Sequence, residues 1–135
     1  MNFVLRHFRL ILLSFALVIV WFGYRKGTWQ KYYENGQPMV NMNRENERNN
    51  GKFTWWYPNG RKRMEGYFES GQRSGTWTTW DEKGVKRRES VYSRDKLNGF
   101  SIEWQVDGTV KSKTFFADDQ PQENEGSIWL TDPSE

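Results

Sequence analysis

Glycine recurs in this chain on a strict 24-residue period, at Gly27, Gly51, Gly75 and Gly99, and a second series follows nine residues later at Gly36, Gly60, Gly84 and Gly108. Aromatic residues keep the same register. Five positions after each first glycine stand Tyr32, Trp56, Trp80 and Trp104; two positions after it stand Trp29, Phe53 and Trp77, with Ser101 interrupting the series. A fixed period of this length marks a repeat architecture, in which each unit is too small to bury its own apolar surface and must stack on its neighbours.

Each unit reads as a β-hairpin. The first arm is rich in strand-favouring residues, as in Gly75-Thr76-Trp77-Thr78-Thr79-Trp80. The turns Glu34-Asn35-Gly36, Pro58-Asn59-Gly60, Glu82-Lys83-Gly84 and Val106-Asp107-Gly108 follow, and Asn-Gly or Asp-Gly supplies the positive φ that tight hairpins need. Second arms run through Met64–Phe68, Glu89–Tyr92 and Lys113–Phe116, and a polar link such as Glu69–Ser74 leads to the next unit. The repeat region averages more than two glycines per unit and its aromatics do not continue at three-and-four spacing along a unit, so helix is a poor alternative. The expectation is an all-β chain: a single-layer antiparallel meander of about four hairpins, eight strands, preceded by one membrane helix. Asn41–Asn50 (NMNRENERNN) is so polar that the second arm of the first unit is expected to be weak or looped. Gly126-Ser127-Ile128-Trp129 looks like the start of a displaced fifth unit, a capping strand before an acidic tail.

Charge divides the chain the same way. Of 20 Lys and Arg, Arg6, Arg9, Arg25 and Lys26 fall in the first 26 residues, which hold no acid; the remainder carries 16 bases against 17 acids. The basic pI of about 9.2 thus belongs to the N-terminal segment, and a nucleic-acid-binding surface over the whole domain is not supported. Leu10–Tyr24 is fifteen residues without a charge, short for a span of roughly 20 but flanked by bases on both sides. No pair of small residues follows it to mark a cleavage site. It is expected to be an uncleaved single-pass anchor over residues 1–26, in a bacterial inner membrane with the repeats outside the cytoplasm; a cleaved signal peptide on a secreted or periplasmic protein is the alternative. The repeats then occupy residues 27–122, and residues 123–135 form the cap and tail.

The segment Tyr67-Phe68-Glu69-Ser70-Gly71-Gln72-Arg73-Ser74-Gly75-Thr76-Trp77 resembles the MORN repeat, an aromatic followed by a short turn, then glycine and a second aromatic. The 24-residue form with Gly-x-Trp and a later Asn-Gly is similar to the bacterial YwqK-type variant, whose members often carry an antitoxin label. The resemblance spans roughly residues 27–122. It implies a twisted single-layer meander used for protein contacts, dimerisation or binding of acidic phospholipid. Choline-binding cell-wall repeats are also aromatic hairpins, but their period is shorter.

Catalysis is not expected. The chain has no Cys and, beyond the anchor, no His, so the usual general base and metal ligands are missing, and no cofactor or metal is foreseen. Asp118-Asp119 reads as a solvated turn rather than a cation site. Two constellations remain. Trp56, Trp80 and Trp104 form one aromatic column, expected on the face opposite Trp29, Phe53 and Trp77; these rings either pack as a ladder with interleaved neighbours or leave one face exposed to dock a partner or a second copy. Arg63, Arg87 and Lys111 stand twelve residues after successive glycines and are expected to align on one face. Such a stripe either meets an anionic membrane surface or serves solubility, with Glu65 and Glu89 compensating. The function expected is a non-enzymatic, membrane-anchored module for protein or membrane-surface binding, with an antitoxin or immunity role as the alternative.

Overall fold

The computed structural model describes residues 26–123 and the pair 128–129. The anchor expected over Leu10–Tyr24 and the tail beyond Trp129 lie outside the described residues. Among the described residues no helix is long and apolar enough to cross a membrane.

Eight long strands follow one another as β1 (Lys26–Tyr32), β2 (Pro38–Glu45), β3 (Arg48–Trp56), β4 (Lys62–Glu69), β5 (Gln72–Trp80), β6 (Lys86–Ser93), β7 (Lys96–Trp104) and β8 (Val110–Ala117). Each pairs antiparallel with the next, so sequence order is spatial order, a plain meander. Two short strands, β9 (Gln120–Gln122) and β10 (Ile128–Trp129), both pair with β8. The polar run Asn41–Asn50 is not a loop. Through β2 and β3 it forms a ladder around the Asn46-Glu47 turn, with Arg44 opposite Asn49 and Asn41 opposite Thr54, and one register shift between Met42 and Arg44. Ladder hydrogen bonds come from the backbone, so a strand flanked on both sides needs few apolar side chains of its own.

The two kinds of connection differ from the expected ones. After odd strands, the Asn-Gly and Asp-Gly turns are three-residue loops: Gly60 N donates to Tyr57 O at 2.9 Å and Tyr57 N to Arg61 O at 2.8 Å. Here only the glycine is left-handed, Gly60 at φ 81°, which is the type I turn with a glycine bulge. After even strands, the polar links contract to two-residue turns with both residues at positive φ: Asn46-Glu47, Ser70-Gly71, Arg94-Asp95 and Asp118-Asp119. That is the type I′ pattern, which matches strand twist. Seven of these eight residues are not glycine, and each left-handed residue costs on the order of 1–2 kcal/mol. The cost is offset by bonds between neighbouring turns: Asp95 N donates to Arg73 O at 3.1 Å and Asp119 N to Leu97 O at 3.0 Å.

A one-layer sheet has little interior. Among the described residues Trp77 is the one buried hydrophobic side chain, 7% exposed. Its indole lies over Gly66, stacks on Phe53 at 5.5 Å, and meets Phe68 at 4.9 Å and Tyr92 at 6.4 Å edge-on. Its Nε1 donates to Tyr67 O at 3.2 Å. Burying a tryptophan contributes roughly 4–6 kcal/mol before entropy is counted. The break at Ser101 is a local exchange: Ser90 Oγ and Ser101 Oγ share a hydrogen bond of 2.7 Å where the preceding unit has its indole. The aromatic pair there, Phe100 and Phe115 at 5.2 Å, sits on the opposite face.

A methyl group on Gly66 would lie 2.2 Å from Trp77 Cδ2. Gly66→Ala should therefore displace the indole and cost about 3 kcal/mol in urea denaturation. Gly27, although it opens the repeat series, has nothing within 4 Å of such a group and no positive φ. Gly27→Ala should change stability by less than about 0.5 kcal/mol.

Candidate binding faces

Strand alternation and register sort the side chains onto two faces. Phe53 and Trp55 share one face with Met64, Trp77, Thr79 and Arg88, following the pairs Trp55↔Met64, Met64↔Thr79 and Thr79↔Arg88. Phe68, Arg73 and Tyr92 join them through the contacts around Trp77. Trp56, Trp80 and Trp104 point to the other face. The six residues singled out by sequence therefore divide between the two faces rather than forming one site.

On the tryptophan face, Trp56, Trp80 and Trp104 are half-buried, and lysines stand between them. Lys62 pairs with Trp56 and reaches over the Trp80 ring at 5.7 Å; Lys86 pairs with Trp80 and reaches over Trp104 at 5.0 Å. Equivalent strands are about 9–10 Å apart, and a lysine stem fills the interval with methylene groups while its ammonium stays wet. Glutamates neutralise these lysines. Glu65 accepts from Lys62 at 2.8 Å and Lys52 at 3.0 Å, and Glu89 from Lys86 at 2.8 Å. Sequence reading missed this row because each lysine precedes its tryptophan by eighteen residues, from the preceding hairpin's second arm.

Arg63, Arg87 and Lys111 occupy equivalent β-bulges. Each is the residue passed over where the register slips, Arg63 between Trp55↔Met64 and Trp56↔Lys62, Arg87 and Lys111 likewise one and two repeats on. A bulge leaves its extra residue unpaired and re-aims its side chain. The three are used differently. The Arg63 guanidinium lies 4.0 Å over the Trp55 ring and 5.4 Å over Tyr57. Lys111 pairs with Glu103 at 3.5 Å. Arg87 keeps a buried Nη1 with no hydrogen-bond partner. Arg73, absent from the sequence-based candidates, stacks 4.0 Å over Tyr92 and clasps Asp95 through Nε at 3.0 Å. Its signal in the sequence was a cation across the Ser70-Gly71 turn from the aromatic pair Tyr67-Phe68, where it pairs with Phe68.

The rims hold neighbouring repeats together. Tyr33 Oη donates to Trp56 O at 2.7 Å and Tyr57 Oη to Trp80 O at 3.0 Å; Asn35 and Asn59 side chains donate to Pro58 O and Glu82 O. The third unit substitutes Asp81, whose Oδ1 accepts the Lys83 and Val85 amides at 2.9 Å. On the other rim, Asp95 Oδ1 accepts the Arg73 amide at 2.9 Å and Asp119 Oδ1 the Leu97 amide at 2.7 Å. Asp119 is thus a structural acceptor. Among the described residues no group of three His, Cys, Asp or Glu side chains comes together in a metal-binding arrangement.

The described residues thus form a one-layer aromatic meander with bulges at a 24-residue spacing. Residues 25–46 and 49–70 match the family described as a MORN repeat variant. MORN repeats are binding-type repeats, associated with protein or membrane contact, and not an enzymatic family. No curated protein and no solved structure matches the chain.

Four carboxylates sit below their ordinary range. Glu65 is held down by Lys62 and Lys52 against its partial burial. Partial burial raises Glu103, but the Arg88 guanidinium and Lys111 ammonium outweigh it. The Arg73 amide and guanidinium lower Asp95, and the Thr109 hydroxyl and amide lower Asp107. A carboxylate lowered by folding stabilises the native state above its unfolded pKa, about 4, and loses that contribution as pH falls through the depressed folded value. The urea midpoint should therefore be flat from about pH 7 to pH 5 and drop below about pH 4; a midpoint that rises on acidification contradicts the pairings.

Proposed function

We propose that this chain is a non-enzymatic binding module, tethered to a membrane through Leu10–Tyr24, that offers the arginine-bearing face of its repeat sheet to a protein partner. The observation that carries the reading is the unequal charging of the two faces. On the tryptophan face every lysine beside an indole has a glutamate partner. On the Trp77 face, the Arg63 and Arg73 guanidiniums stand 4.0 Å over aromatic rings, and of the row Arg63, Arg87, Arg88 and Lys111 only Arg88 and Lys111 have a carboxylate within ion-pair reach among the described residues, the same Glu103. Arginine on an aromatic platform is weakly hydrated and suited to contact faces. The match of residues 25–70 to a binding-type repeat supports the same reading.

Affinity purification of the full-length chain from native membranes tests it. The native chain should retain a partner that Arg63→Glu loses, while Lys52→Glu on the opposite face leaves the complex intact. A chain that is monomeric, recovers nothing and ignores vesicles of anionic lipid overturns the reading; binding that depends on such vesicles alone shifts the contact from a protein to the membrane surface.

A further inference from the structure

The second and third repeats differ at one place on the Trp77 face. In the second, bulge-borne Arg63 rests on Trp55 and Tyr57. One period later the bulge residue is Arg87, but Thr79 and Asp81 stand where the two rings would be. Asp81 is already committed to its own turn, accepting the Lys83 and Val85 amides. Arg87 is left with a buried, unpartnered Nη1 and makes no ion pair among the described residues. A groove of about 160 Å³ opens over Thr79, lined by Met64, Arg73, Trp77, Arg88, Ser90 and Tyr92. Its floor is aromatic and its walls carry guanidinium groups.

We infer that this groove receives one aromatic side chain from an acidic segment of a partner protein. The incoming ring takes the place that Trp55 holds in the preceding repeat, edged by Met64 and Trp77 and flanked by the Arg73 and Arg88 side chains that line the groove. Carboxylates flanking that ring meet Arg73 and Arg88 at the groove, each of which has one acid partner in the chain, and Arg87 on the bulge beside Arg88, which has none among the described residues. A cation over an aromatic face, desolvated in a groove, makes this arrangement an anchor of the kind that dominates binding at protein surfaces. The inference rests on the chain being a protein-binding module.

The test uses the full-length chain in detergent and, as probe, a short synthetic peptide with one central tryptophan flanked by glutamates, titrated by calorimetry. The native chain should bind it. Replacing the peptide's tryptophan by alanine, or its glutamates by glutamine, should weaken binding at least about ten-fold. Thr79→Trp, which fills the groove with the chain's own indole as Trp55 does one repeat earlier, should weaken it equally. Arg87→Gln provides an independent variant should the larger residue disturb folding, and about a five-fold loss is expected of it. Failure of the native chain to bind the peptide, or unchanged binding by Thr79→Trp or by the alanine peptide, overturns the inference. If a membrane partner is lost on Arg63→Glu yet kept by Thr79→Trp, the groove assignment fails while the binding-module reading stands.

Discussion

A single-layer sheet has to find apolar burial without a second layer to press against, and here the solution is an indole laid across a glycine. Trp77 on β5 lies over Gly66 on β4, enclosed by Phe53, Phe68 and Tyr92. Five residues from four neighbouring strands thereby form one knot at the centre of the meander, and it couples the hairpins β3–β4 and β5–β6 through side chains. The knot also explains its own absence elsewhere: with Ser90 opposite Ser101 there is no glycine shelf, and the hydroxyls bond to each other instead.

From this centre the sheet is extended by its rims. Tyr33 and Tyr57 reach from one turn to the next repeat's strand end, and Asp95 and Asp119 accept amides from the turn behind them. Each bond spans 22 or 23 residues, so each links neighbouring hairpins rather than closing one. Nearest-neighbour coupling of this sort is what gives repeat proteins their one-dimensional energetics. The left-handed turn residues, costly one by one, are held because their amides and carboxylates are the linking groups.

Much of this was legible from the glycine and aromatic registers. They specify strand positions, the hairpin count and, through a spacing of three, that Phe53 and Trp56 face opposite ways. What the sequence did not disclose depends on pairing. The run Asn41–Asn50 looked like a loop because its side chains are polar, yet its backbone completes β2 and β3. The Asn-Gly turns, expected to be tight, are three-residue loops with a bulged glycine, and the polar links, for which the residues suggested no geometry, close as the two-residue turns. Arg63, Arg87 and Lys111 do recur in register, but only the slipped pairing reveals that they are bulge residues. Lys62 and Lys86 were hidden as fillers between tryptophans because their contacts cross to the next hairpin.

The functional account follows from the same geometry. Packing uses up the tryptophan column on one face, and the bulges deliver arginines to the other, where Arg63 is stacked on Trp55 and the equivalent place over Thr79 is left open. All of it depends on the Trp77 knot being the most stable part of the sheet. Amide hydrogen exchange followed strand by strand measures that directly. Protection should peak in β4, β5 and β6, flanking Gly66 and Trp77, and decline toward β1, whose residues are all exposed. Uniform protection along the meander, or a maximum at β1 or β8, would contradict the claim that this contact anchors the fold.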